Sequence, residues 1–210
     1  RTGDSSIAGS THNKASSSLV VTPGVIQAIP NRHIDEATCR LYDYQVGEHH
    51  GEPCHIANFR GSNGTLVAQN FRRSGKRFSW VGEADDLGFF GQHLYGSGKK
   101  LTITEGFLDC LSVSQAFGNK WPVVSIPNGV KSALKCAKKN YEWLENFEQI
   151  IIMFDNDEPG NKAAQELAEL LPMGRVSIAH TALKDANELL VAGRVGDITK
   201  AFWEAVPYRP

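Results

Sequence analysis

The stretch Gln149–Gly160, QIIIMFDNDEPG, decides how the rest of the chain is read. Ile150, Ile151, Ile152, Met153 and Phe154 are apolar without alternation, and the run stops at two aspartates, Asp155 and Asp157, one residue apart. An unbroken apolar run of strand length reads as an inner strand of a parallel sheet, covered on both faces. Pro159 follows at a position tolerated in the first turn of a helix, so EPGNKAAQELAELL reads as that helix. The pair of carboxylates has three readings: a metal site, a helix cap, or a calcium loop. Asp155, Asp157, Gly160 and Glu166 occupy positions one, three, six and twelve of an EF-hand loop. Position five is Pro159, which offers no ligand, and a strand rather than a helix leads into the loop, so the calcium reading fails.

The neighbouring segments repeat the strand-then-helix pattern. KKLTITEG is a strand ending in Glu105-Gly106, and FLDCLSVSQAF has helical spacing. WPVVSIPNG is a short buried strand with a Pro-Asn-Gly turn. VKSALKCAKKNYEWLENF reads as one long amphipathic helix, RVSIAH as a strand, and DANELLVAG and DITKAFWEA as closing helices. This alternation predicts an α/β layer on a mainly parallel sheet over residues 98–206. Residues 19–97 are punctuated by glycine, with β-like stretches at HIANFR and TLVAQNFR and a short polar-capped helix beginning near Asn31–Ala37. They predict a smaller α+β subdomain with basic character. Residues 1–18, polar and Ser/Gly-rich, read as a flexible tail or linker.

Ligands of a parallel sheet gather at the carboxyl ends of its strands. Glu105, the Asp155/Asp157 pair and Asp185 all follow strands and so converge on one edge. Each alone has an ordinary explanation: Asp155, Asp157 or Asp185 as a helix cap, Glu105 as a solvated loop residue. Grouped carboxylates repel unless a cation neutralises them, and hard oxygen ligands favour Mg²⁺ or Mn²⁺. Asp109, one helical turn after Glu105, shares its side of the helix and either joins this group or is a surface residue.

The net charge of -1 gives the chain no global pull toward polyanions, so any nucleic-acid site is a local patch. Arg72, Arg73, Lys76 and Arg77, with Phe71, Phe78 and Trp80, form such a patch. If it is one strand, Arg73 and Arg77 share one face, Arg72 and Lys76 the other, and only one face lines a site. The alternative is an edge strand protected by charge. GSGKK lacks the earlier glycine of a phosphate-binding loop and precedes a strand, so it is no P-loop, although Lys99 or Lys100 remains a candidate phosphate contact. The four cysteines have no zinc-module spacing and, with no signal peptide, read as reduced and intracellular. No apolar run approaches the ~20 residues of a membrane span. The chain starts at Arg1 and reads as a piece of something longer or as a processed product.

Thr104-Glu105-Gly106, Asp155-Asn156-Asp157-Glu158-Pro159-Gly160 and Lys184-Asp185-Ala186-Asn187-Glu188 together resemble the Toprim signature of primases, topoisomerases and some nucleases. FGQHLYGSGKKLTITEG, YEWLENFEQIIIMFDNDEPG and LKDANELL are similar to the primase half of bifunctional phage primase–helicases, whose mitochondrial relative is Twinkle. The likeness covers residues 19–206 and is strongest from Phe90 onward. It implies RNA primer synthesis on single-stranded DNA from ribonucleoside triphosphates, with Mg²⁺ or Mn²⁺. Asp155 and Asp157 are then metal ligands, Asp185 supports the cluster, and Glu105 is a ligand or the general base. Arg32, Arg72, Lys76, Lys99 and Asp109 become nucleotide or DNA contacts. Asn70 stands where a further lysine is expected. Helicase and zinc-binding domains would lie outside this chain, and the setting would be the cytoplasm of an infected bacterium or, alternatively, a mitochondrion. Two competing functions accompany this reading: a DNA-binding module that has lost synthesis, and a Toprim nuclease.

Overall fold

The computed structural model describes residues 21–84 and 87–210; the expected tail at 1–18 lies outside the described residues. Two five-stranded sheets organise the chain. The first is an antiparallel meander of β1 (Gly24–Val25), β2 (Tyr44–His49), β3 (Glu52–Arg60), β4 (Leu66–Arg73) and β5 (Arg77–Gly82), with α1 (Glu36–Leu41) between β1 and β2. Helix α1 starts where Asp35 accepts a hydrogen bond from the Thr38 amide at 2.7 Å, one turn later than the Asn31 segment, which forms a separate 3₁₀ turn.

The second sheet is built from β6 (Gly98–Thr104), β7 (Val123–Ser125), β8 (Phe147–Met153), β9 (Val176–Ile178) and β10 (Val206–Pro207), in the spatial order β10-β9-β8-β6-β7. All pairs are parallel except the short β10, which the sequence pattern did not reveal. The connecting helices are α2 (Phe107–Ala116), α3 (Ala133–Lys139), α4 (Tyr141–Leu144), α5 (Glu158–Leu170), α6 (Ala186–Val191) and α7 (Val195–Trp203). The unbroken apolar run of β8 has the cause inferred from sequence. Ile151 and Met153 enter the core with α2, α6 and α7, while Ile150, Ile152 and Phe154 enter a second core with α3 and α5.

Two sequence expectations are corrected. The long helix at 130–147 is broken: Asn140 sits at φ -104°, ψ 24°, between α3 and α4. Its side-chain Nδ2 donates to the Cys136 carbonyl at 2.8 Å and its Oδ1 accepts from Gln92 at 2.9 Å, giving the backbone an alternative to a continuous helix. The basic segment at 72–77 is a hairpin and not one strand, because Gly75 takes φ +71° in a tight turn over Ser74–Lys76. Arg73 and Arg77 are therefore register partners on adjacent strands.

The two sheets share one core. Phe59 from β3 packs against Phe90 and Phe107 with ring centroids 5.5 and 5.7 Å apart, and Tyr42 stacks on Phe90 at 5.7 Å. Phe107 opens α2 directly behind Glu105 and Gly106, so this contact seats the antiparallel sheet beside the acidic edge of the parallel one. Among the described residues, no helix is long and apolar enough to cross a membrane.

Candidate active site

The sheet order fixes where a ligand can sit. From β6 the chain turns to β7 on one side; from β8 it turns to β9 on the other. The crevice between the carboxyl ends of β6 and β8 is the point where the winding reverses, the usual ligand position in such sheets. Thr104 and Met153 are register partners at this edge, so Glu105 and Asp155 emerge side by side. A cleft of about 340 Å³ opens there. Its floor holds Glu105, Asp109, Asp155, Lys184 and Asp185, and its far wall carries Asn70, Arg72 and Phe78 from the antiparallel sheet.

Three carboxylates meet closely. Asp109, Asp155 and Asp185 each offer an oxygen, and these oxygens lie within 4.8 Å of one another. Asp109 arrives from the first turn of α2, one turn after Glu105, and Asp185 from the N-cap of α6. Asp185 serves two purposes, because Oδ1 also accepts from the Glu188 amide at 2.7 Å. Asp157 is occupied differently. Its Oδ1 caps α5 by accepting from the Gly160 amide at 3.0 Å, and its Oδ2 lies 3.4 Å from Lys184 Nζ. The structure thus brings Asp109 and Asp185 to Asp155 and sets Asp157 beside them as the cap.

Electrostatics describe a site short of positive charge. Burial, then Asp185, pushes Asp109 well above the usual carboxylate range. Burial, then Asp185, raises Asp155, although Lys184 at 3.5 Å opposes the rise. Glu105 is raised to about 7 by burial and then by Asp155. Its buried Oε2 has no hydrogen-bond partner among the described residues. Like charges brought together in a half-buried crevice push each other toward protonation, and a divalent cation relieves this directly. The donor set is all oxygen, as a hard cation requires.

Backbone geometry holds the acids in place. The Asn156 amide donates to the Lys184 carbonyl at 2.6 Å and its side chain donates to the Thr181 carbonyl at 3.1 Å, tying the two acid-bearing loops together. Gly160 is required by close approach: a Cβ there would lie 2.2 Å from the Asp155 carbonyl oxygen. At Gly106 a Cβ would lie 2.6 Å from Asp109 Oδ2. Asn187 ties the site to the first subdomain. Its amide donates to Asp109 at 3.0 Å, its Oδ1 accepts from Arg32 at 3.2 Å, and its Nδ2 donates to the Arg32 carbonyl and to Ser112.

The basic residues divide. Arg72 and Asn70 lie on the face of β4 that lines the cleft, and Asn70 Oδ1 is buried without a partner among the described residues. Arg73 points to the opposite face, 3.9 Å from Glu52, where Arg77 also pairs at 2.8 Å. Lys76 lies in the hairpin turn. Lys99 is not brought to the cleft, because it stands at the amino end of β6, a strand length of about 20 Å from Glu105. Lys100 turns to the same far end, with its Nζ 4.7 Å from the Trp203 ring centroid. Lys184 and Asn187 were not singled out from sequence. Both sit in the quoted KDANE motif, on either side of Asp185 and Ala186, which was the available signal.

Comparison with known proteins accounts for both halves. The family model for the N-terminal α+β fold of bacteriophage T7 DNA helicase/primase matches residues 24–82, and the Toprim-like model matches 102–190. The primase fragment of the bacteriophage T7 primase-helicase superposes with a TM-score of 0.82 at 39% identity, covering 86% of this chain and 75% of that one. The chain belongs to the phage helicase/primase family. A T7 complex with primase domains on an RNA/DNA hybrid and dTTP, together with lagging-strand DNA polymerase, matches equally well. Its TM-score is 0.82 at 39% identity, over 88% of this chain and 94% of that chain. The DNA helicase/primase of Enterobacteria phage T3 is 38% identical over 179 residues, 85% of this chain. The chain spans about a third of that relative's length, 32%. Within the family, this segment is the Toprim domain with its α+β partner.

Proposed function

We propose that this part of the phage helicase/primase family synthesises RNA primers on a single-stranded DNA template from ribonucleoside triphosphates. The observation that carries the reading is the meeting of Asp109, Asp155 and Asp185 within 4.8 Å at the sheet's reversal point, facing Arg72 across one cleft. Asp109, Asp155 and Asp185 would hold Mg²⁺ or Mn²⁺, which would supply charge stabilisation at the α-phosphate and acidify the attacking hydroxyl. Glu105, beside this cluster and with its buried Oε2 unpartnered among the described residues, accepts the proton of the 3′-hydroxyl. Asp157 holds α5 in register and holds the Lys184 ammonium at the cleft rim. Lys184 and Arg72 meet the phosphates of the incoming nucleotide. Arg32 acts through Asn187 to keep Asp109 in place.

Family resemblance also supports the wider setting. T7 primase domains bind an RNA/DNA hybrid and contact a polymerase, and by analogy the same partners suit this chain, along with a helicase domain such as the T3 relative's name implies. The bacterial host cytoplasm is the corresponding location.

The test supplies a single-stranded template, ribonucleoside triphosphates, Mg²⁺ or Mn²⁺, and a dinucleotide to bypass initiation. Template-dependent extension that disappears in Asp155→Ala supports the proposal. Template binding without extension refutes it in favour of a binding module, and cleavage of the DNA refutes it in favour of a nuclease.

A further inference from the structure

We propose that Phe78 is a stacking platform for a nucleobase, a role that rests on reading the cleft as a site of nucleotide chemistry. Phe78 is 50% exposed on the edge strand β5 and joins no core cluster among the described residues. Its exposure is not a property of that strand face. Trp80, two residues along and on the same face, packs into the core against Phe59 at 5.1 Å. Phe78 instead lines the acidic cleft.

The ring is held ready. Phe78 is the register partner of Arg72, whose guanidinium carbon lies 5.8 Å from the ring centroid. That contact orients the ring on the cleft lip while leaving half of its surface to solvent. The cleft divides chemically to match a nucleotide. Glu105, Asp155 and Asp185 make a floor suited to a cation and the phosphates it draws in, while Phe78 and Pro127 give apolar surface at the side. A base buries its π-face against such a ring whatever its identity, as copying a variable template requires. Asn70, on the same wall, adds a hydrogen-bonding oxygen that has no partner among the described residues, which a base or ribose donor can satisfy.

Binding of two probes to the full 210-residue chain tests the proposal. One probe is a ribonucleoside triphosphate with Mn²⁺, and the other a single-stranded DNA oligonucleotide alone. Phe78→Leu, which keeps apolar bulk but removes the π-face, weakens one of the two by roughly tenfold. The arm that weakens identifies whether the base belongs to the nucleotide or the template. Phe78→Trp stays within about twofold of the parent, and its difference emission is quenched by the same probe. The proposal is overturned if Phe78→Leu binds both probes as the parent does, or if the added indole's emission is unchanged when bound. Those results leave the primase reading intact. A parent protein that binds neither probe overturns the primase reading, and this proposal with it.

Discussion

Gly160→Ala probes the site at a position that carries no charge and touches no substrate. The new Cβ would stand 2.2 Å from the Asp155 carbonyl oxygen, 3.1 Å from its carbonyl carbon and 3.3 Å from its amide nitrogen. Carbon and oxygen rest no closer than about 3.3 Å, so the Asp155 backbone and the start of α5 must part by roughly 1 Å. Overpacking of this kind costs about 2 kcal/mol, which lowers the melting temperature by roughly 5 °C in a chain of this size. The larger effect falls on function, because a displacement of about 1 Å in a reacting group costs around a hundredfold in rate. Calorimetric titration of Mn²⁺ and dinucleotide extension rates read the two consequences. Gly196→Ala is the control. Beyond its own helix turn, a Cβ added there would meet no atom of the described residues within 4 Å, and the change in α7 is neutral or slightly stabilising. A Gly160→Ala protein within about twofold of the parent in Mn²⁺ affinity and extension rate would refute the claim that Asp155 is held in place by this close approach.

Glu105 gives the metal-free protein a pH dependence. Its value rises from 4.5 to about 7 on folding, so the folded state holds this proton more tightly than the unfolded chain. The stabilisation is complete below about pH 4.5 and is lost as the pH climbs through 7, a fall of ~2 kcal/mol after allowing for solvent. Denaturant melts of Glu105→Gln at pH 5 and pH 8 show a shallower fall than the parent. Asp157→Ala removes the α5 cap and costs about 1 kcal/mol by denaturant melt. Asp157→Asn restores most of that stability, and both retain more extension activity than Asp155→Asn. Lys184→Gln removes the ammonium beside Asp155 and Asp157, so Mn²⁺ binds a few-fold more tightly by titration, with the gain shrinking at high salt.

The parallel sheet was legible because its signal is local. IIIMF has to be covered on both faces, and strands followed by acidic turns place those acids on one edge whatever the loops do. Asp109 was visible as a residue one turn after Glu105. Its membership of the triad depends on how α2 packs beside α6, which no periodicity encodes. Asp157 and Asp155 look alike in sequence, yet one caps α5 and the other faces the cleft, a division set by the turn. The basic segment misled for a specific reason. Gly75 at φ +71° makes a hairpin, so strand alternation has to be counted separately on each side of it. Asn140 broke a helix whose hydrophobic spacing is sound, through a side-chain bond to Cys136 and a partner, Gln92, far away in sequence. Lys99 has the right chemistry at the wrong end of its strand.

On the reading proposed above, Asp109, Asp155 and Asp185 form the cation site. Anomalous scattering from crystals of this chain soaked in Mn²⁺ tests it most directly. The expected result is a manganese peak bounded by one oxygen from each of the three aspartates, with the Lys184 ammonium moved away from Asp155, and loss of the peak in Asp155→Asn. A peak held by Glu105 and Asp157 without Asp109 and Asp185, or no peak at this edge of the sheet, would contradict it.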